Sequence, residues 1–440
     1  MTLPQRFLPG EPLRYQSGFR AAMASEAREG ALPLAQNSPR NAPFGLHPEQ
    51  LNASGFTALR AHNLRTWMYR IRPGVLQSEF APYAGNPKFV GRFEEGVPTP
   101  ELLRFAPRSM PTEPTDFVDG MVTFAGAGNP ELRSGLAIHL YAANAHMERV
   151  FYDADGDLLI VPEQGGLRVR TELGLLEVLP GHVLVIPKGI KFAVALLEGT
   201  ARGYVLESYG GPFELPERGP IGANGLADAR HFEAPLAAFE DSKERVPIIA
   251  KFAGRLWQAE QQHSPFDVVA WHGNHVPYRY DLARYNTMGS VSFDHPDPSI
   301  FTVLTVPFDE VGNNLADFAV FKGRWDVAEH TFRPPYFHRN TATEFNGIVS
   351  MRGSSNGFEQ GGYFYTPSLT AHGVAASSVR SHLERSDDSA DRPLRIADDS
   401  LWVMFETILM LRVMPWALDA ENRDRAFREI YNDMPVPFEG

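Results

Sequence analysis

The amino-acid sequence predicts a mainly β protein, folded as two sandwich- or barrel-like β domains with a few short helices. Three observations carry this. A chain of 440 residues exceeds what one ordinary hydrophobic core organises. Its 38 Gly and 36 Pro are punctuation enough for many short strands and too much for long helices. Apolar and polar residues alternate in two dense blocks, one ending near Glu207 and one starting near Val291.

Taken in order, residues 1 to about 50 are rich in Pro, Gly, Asn and Ser with little periodicity, and are expected to form an irregular arm that needs a partner to order it. Strands are predicted over Asn63–Arg72 and Gly135–Ala142. From Asp157 to Glu207 the pattern reads as a meander: Leu158–Val161, Gly166–Thr171, Gly174–Val178, His182–Ile186, Phe192–Leu197 and Ala201–Glu207, with Gly- and Pro-bearing turns between them. A Pro- and Gly-rich connection, Gly210–Asn224, precedes a mixed segment containing Trp257 and Trp271. The second block holds Ser290–Phe293, Phe301–Thr305, Phe318–Phe321, Glu344–Met351, Gly362–Tyr365 and Leu401–Leu411. Ser377–Arg392 reads as a polar, mobile surface loop, and Asp419–Tyr431 as a short surface helix. The expected domains are 1–285, including the arm, and 286–440.

Composition excludes several classes. The net charge of -12 has no basic patch, so nucleic acid is not expected as a partner. With no cysteine there are no disulfides, thiolate nucleophiles or Cys-ligated metals, and any metal must use imidazole and carboxylate. The most apolar stretch, Leu401–Met414, contains Glu406 and Arg412 and is short of the roughly 20 residues a membrane helix needs, so it reads as core. Met1 to Pro12 shows no secretion signal, and a cytoplasmic location is expected.

In the first domain, Ile186-Pro187-Lys188-Gly189-Ile190-Lys191-Phe192 resembles the second cupin motif with Phe192 where the metal-binding histidine belongs. A phenyl ring offers no lone pair, so a degenerate, metal-free cupin with an apolar interior is expected. His139 and His146, seven apart, point to opposite faces of a strand and read as structural. In the second domain, His338 and Glu344 stand six apart, an even offset that puts both side chains on one face of a strand, and His372 follows at a distance a hairpin can return. Two imidazoles and one carboxylate cover one face of an octahedral iron(II) and leave three positions open. Fourteen histidines make chance His–Glu pairs common; the setting raises this one, with Pro334-Pro335 before it, Gly347 and Gly353 after it, and His372-Gly373 at a loop.

Beyond these residues, the chain resembles the homogentisate 1,2-dioxygenases, bicupin-type non-haem iron enzymes, over nearly its whole length. The resemblance is carried by Gly128-Asn129-Pro130, by Val269 through Asn274 (Val-Ala-Trp-His-Gly-Asn), by Phe293-Asp294-His295 with Asp297 through Phe301, and by Phe332 through Tyr336 with His338-Arg339-Asn340. It implies Fe(II) held by His338, Glu344 and His372, His295 as catalytic base, an aromatic substrate opened with O2, and a homo-oligomer, a trimer or a hexamer built from trimers. Trp271 with His272 and His275 keeps a structural reading.

Two positions depart from the family. Gly353 stands where the family has a substrate-contacting Tyr, and Thr366 where it often has a His. His372 is implied as a substrate contact as well as a ligand, and Arg352, Asn346 and Ser354 are the candidates for anchoring the ring's side arm. Homogentisate is the substrate the family implies. Gentisate or another substituted hydroquinone, and a non-redox metal-binding bicupin, are the alternatives.

Overall fold

In the computed structural model of the chain, residues 3–9, 12–217, 226–285, 298–385 and 392–439 are described. The expected strand Ser290–Phe293 and the expected base His295 lie outside these residues.

Sheets of ten, seven, six and four strands make up the fold. The ten-stranded sheet is the middle layer, and its residues show why. In the strand Asp157–Gln164, Leu158 and Ile160 face a core shared with the seven-stranded sheet, whereas Leu159 and Val161 face a core shared with the six-stranded sheet. Both faces of this strand are therefore buried, which is why the run Leu158–Val161 is apolar throughout and does not alternate. Phe192 packs edge-on against Phe151 in the first core, with Phe117 close by.

The strands from Asp157 to Ser208 form where expected, but they are not a meander. Leu167–Thr171, Gly174–Val178 and Phe192–Leu196 belong to the seven-stranded sheet, while Asp157–Gln164, His182–Ile186 and Ala201–Ser208 belong to the ten-stranded one. Strands apolar on both faces leave no pattern that says which neighbour they pair with, and turns of a few residues can switch sheets as readily as close a hairpin.

Three further expectations are corrected. The N-terminal arm is pinned by its own chain: Tyr15–Ser17 pairs with Phe232–Pro235, Met23–Glu26 with Val268–Gly273, and His47–Asn52 with Arg65–Arg70. Edge pairing satisfies backbone groups whatever the side-chain pattern, so it leaves little periodic signal. The stretch read as a loop from Ser377 instead begins as an α-helix, Ala376–Leu383, whose buried Ala376 and Val379 stand three apart on one face. The C-terminal surface helix is a 3-10 turn, Arg425–Tyr431, capped by Asp424, whose side chain accepts from the Ala426 N–H.

The six-stranded sheet holds the C-terminal half. Its order is Thr302–Pro307, Asn314–Asp326, Leu394–Thr407, Thr343–Ser350, Tyr363–Thr366 and Leu103–Phe105. The last strand comes from the N-terminal half of the chain, and Arg412–Val413 crosses in return to pair with the ten-stranded sheet. Gly347 marks the tightest contact between these layers: a Cβ there would meet the Tyr204 ring at 2.5 Å. No helix among the described residues is long and apolar enough to cross a membrane.

Candidate metal centre and its cavity

Period-two alternation along Thr343–Ser350 builds the site. Phe345 turns inward and packs with Phe124 and Phe405, whereas Glu344 and Asn346 turn the other way, into a cavity of about 1340 Å³. Both are nonetheless well covered, at 8% and 5% exposed.

The two histidines do not sit on strands with Glu344. The strand begins at Thr343, and His338 precedes it on a loop. What positions His338 is a single antiparallel bridge to His372: His338 N–H donates to the His372 carbonyl at 3.0 Å, and His372 N–H returns the bond at 3.1 Å. The imidazole centroids are 4.1 Å apart. Each Nδ1 lies against a backbone carbonyl, His338 against Tyr336 at 2.8 Å and His372 against Thr370 at 2.9 Å. A carbonyl only accepts, so each Nδ1 carries a proton, which leaves Nε2 as the nitrogen that can ligate.

Glu344 Oε1 lies 3.7 Å from His372 Nε2 and accepts a hydrogen bond from Asn340 Nδ2 at 2.9 Å. One ligand atom from each of His338, Glu344 and His372 falls within 4.8 Å of the others. Two imidazoles whose Nδ1 atoms are committed to carbonyls, with a carboxylate oriented by an amide, are a donor set that fits a divalent transition metal with open positions.

Strand register gives the cavity its polarity. Thr305, Asp317, Glu406, Glu344 and Thr366 stand directly opposite one another in a row across five strands, and all five line the cavity. Burial pushes the Asp317 carboxyl up, against hydrogen bonds from Asn314 at 3.0 Å. The next row supplies Met404, Asn346 and Phe364, and Trp402 stands against Phe364 and Phe358.

Of the residues expected to contact substrate, His372, Asn346 and Thr366 line this cavity. Met351 and Ser355 also line it, on either side of Arg352 and Gly353. The strand ends at Ser350, and Arg352 and Gly353 lie on an exposed turn where Gly353 takes φ 69°. Ser354 is exposed on the same turn. Sequence reasoning missed Asn340 and Asp317. Glu406 did leave a trace, as a lone carboxylate in the apolar run Leu401–Met414.

A second group of carboxylates, Asp153, Asp155 and Glu207, lies buried between the ten- and seven-stranded sheets. A cation already sits among them. Lys251 Nζ, itself fully buried, donates to Asp155 at 2.9 Å and to Glu207. Burial alone would raise the Glu207 carboxyl, but the ammonium and the bond from His139 Nε2 hold it down to about 2. His139 is thus a structural histidine, its other nitrogen bonded to Thr123 at 3.0 Å. Trp271 is buried with Nε1 donating to the Leu173 carbonyl, and His272 and His275 bond Tyr69 and the Lys188 carbonyl.

Residues 14–282 match the sequence model described as homogentisate 1,2-dioxygenase N-terminal, and residues 283–438 the one described as homogentisate 1,2-dioxygenase C-terminal. Among solved structures, a cupin 2 conserved barrel domain protein from Leptotrichia buccalis is 10% identical, over 70% of this chain and 91% of its own, with a TM-score of 0.28. An oxalate decarboxylase variant from B. subtilis is 12% identical over 78% and 90%, with a TM-score of 0.30. The protein Ylba from E. coli is 8% identical over 71% and 93%, at 0.31.

Proposed function

The chain belongs to the homogentisate 1,2-dioxygenase family, and from that premise we propose that it is an Fe(II)-dependent dioxygenase that opens the ring of homogentisate or a closely related hydroquinone with O2. The observation that carries this reading is the convergence of His338, Glu344 and His372 with both Nδ1 protons committed to carbonyls. Structural zinc sites close with four protein ligands, and among the described residues no fourth candidate ligand joins this group.

The residues divide the work as follows. His338 Nε2, His372 Nε2 and a Glu344 oxygen would hold the iron, and Asn340 aims the carboxylate. Bound there, the metal would supply the electron path between an electron-rich ring and O2. Trp402, Phe364 and Met404 offer the ring a flat, apolar wall that excludes water. By the family resemblance His295 takes a proton from a ring hydroxyl, a task that suits an imidazole near neutral pH. The same resemblance supports a homo-oligomer, a trimer or hexamer, and a division of the chain into 1–285 and a catalytic 286–440.

The test is oxygen uptake by anaerobically iron-loaded protein offered homogentisate, gentisate and unsubstituted hydroquinone. Uptake with at least one, together with loss of bound iron in Glu344→Ala, is the expected result. No uptake with any of the three, or full iron retention in Glu344→Ala, refutes the proposal.

A further inference from the structure

Resting on the metal centre proposed above, we propose that Tyr431 is a positioning residue for the ligand His372, tying the loop that carries it to the C-terminal turn.

The tie falls one residue beyond the ligand, where Tyr431 Oη donates to the Gly373 carbonyl at 3.3 Å. His372 spends its own backbone N–H and carbonyl on His338. In an extended segment successive residues direct these groups to opposite edges, so the Gly373 carbonyl faces away from His338. On that outer edge the Tyr431 hydroxyl is its partner. Packing closes another side of Gly373, since a Cβ added there would collide with the Phe337 ring. Gly373 is therefore held between a ring and a hydroxyl, and the imidazole one residue back shifts only if these give way.

A tether works only if its far end is fixed. The turn Arg425–Tyr431 starts from Asp424, whose carboxylate accepts from Arg104 Nε at 2.9 Å and whose N–H donates to the Arg104 carbonyl at 2.8 Å. Arg104 is 5% exposed and sits on Leu103–Phe105, the strand that ends the six-stranded sheet beside Tyr363–Thr366. Its guanidinium covers the buried Phe427 ring, 4.8 Å from the centroid. The phenol thus rides on a turn locked to the sheet that carries Glu344. One frame then sets the separation of two ligands, Glu344 through its strand and His372 through Tyr431.

The tie on the other side of His372 is weaker. Thr370 Oγ1 donates to the Pro100 carbonyl at 3.1 Å, but at an exposed position where water competes for both groups. The Tyr431 bond is partly buried, and Tyr431 lines the metal cavity with Phe427 and Ile430. Phenylalanine at 431 keeps the ring and removes the bond alone.

The experiment compares wild type with Tyr431→Phe, Thr370→Val and Asp424→Asn. Iron(II) affinity is read by anaerobic competition with a chromogenic chelator, ligand geometry by the visible spectrum of cobalt(II)-loaded protein, and metal-free stability by urea unfolding. Tyr431→Phe should weaken iron binding about three- to tenfold, the range expected when one supporting hydrogen bond is lost, and shift the cobalt bands. Thr370→Val should cost less. Asp424→Asn should act in the same direction and add little to Tyr431→Phe, since both cut one path. A purely structural Tyr431 would lower metal-free stability and leave iron affinity and the cobalt spectrum unchanged, which overturns the inference. So does an equal or larger loss in Thr370→Val, or full additivity of Asp424→Asn with Tyr431→Phe. The expected metal changes without oxygen uptake from any hydroquinone support the inference and count against the ring-opening reading alone.

Discussion

Replacing Asn340 with alanine should weaken iron binding while leaving the three ligands in place. Asn340 Nδ2 donates to Glu344 Oε1 at 2.9 Å, and that oxygen is the one 3.7 Å from His372 Nε2. The amide therefore fixes which way the carboxylate points before any metal arrives. A hydrogen bond to a charged acceptor contributes about 1.5–3 kcal/mol, and losing a group that orients a ligand typically costs about 10–100-fold in metal affinity. The two figures agree, since tenfold corresponds to about 1.4 kcal/mol. The loop should survive the change, because the bond from Leu369 N–H to the Asn340 carbonyl, 2.7 Å, involves backbone alone. Anaerobic competition with a chromogenic iron(II) chelator measures the affinity. Asn340→Asp should be weaker still, since it sets a second carboxylate against Glu344. If Asn340→Ala holds iron within twofold of wild type while Glu344→Ala loses it, the amide does not orient the ligand and the argument fails.

Three further outcomes follow from the fold. Lys251→Met should cost about 3–5 kcal/mol in urea unfolding, because Asp153, Asp155 and Glu207 would be left buried without their cation; a loss under 1 kcal/mol would mean that water or protons already balance them. Burial, helped by nearby Lys188 and Arg20, holds the His275 imidazole below its ordinary value. Between that lowered value and about 6.5 the unfolded chain binds the extra proton, so stability falls as pH falls. The advantage of wild type over His275→Gln should thus be full above about pH 6.5 and shrink below it, by up to about 1.4 kcal/mol per pH unit; a pH-independent difference would contradict the shift. Gly347→Ala puts a methyl 2.5 Å from the Tyr204 ring, whose hydroxyl bonds the Gly362 carbonyl at 3.0 Å. A destabilisation of about 1–3 kcal/mol is expected by thermal or urea unfolding, and a neutral result would show that the two layers yield there.

How far the molecule could be read from its sequence depended on whether a feature is local. Gly174–Val178 and His182–Ile186 form with the expected ends because Gly and Pro turns bracket them. Their mates were not legible, since Leu158–Val161 is buried on both faces and pairing depends on strands distant in the chain. The convergence of His338, Glu344 and His372 was legible for a chemical reason: few residue types can ligate a metal, so the three stand out even though the expected shared strand for His338 and Glu344 is in fact a loop and a strand. Counting residues from Glu344 to Arg352 and Gly353 carried no information about where the strand stops, which is at Ser350.

Asn340 and Asp317 belong to a harder kind. Neither is unusual in its own segment, and each matters only through what register or a loop brings beside it. Asp317 meets Glu406, and Glu406 meets Glu344, only because three strands align in that order. Like charges directly opposite on a sheet oppose pairing; in this row burial pushes the Asp317 carboxyl up, and a divalent cation at Glu344 would offset charge further. Glu406 inside an otherwise apolar run was the visible end of that arrangement. A carboxylate that interrupts a buried strand costs stability unless it serves the surface it faces, and here that surface is the wall of the metal cavity.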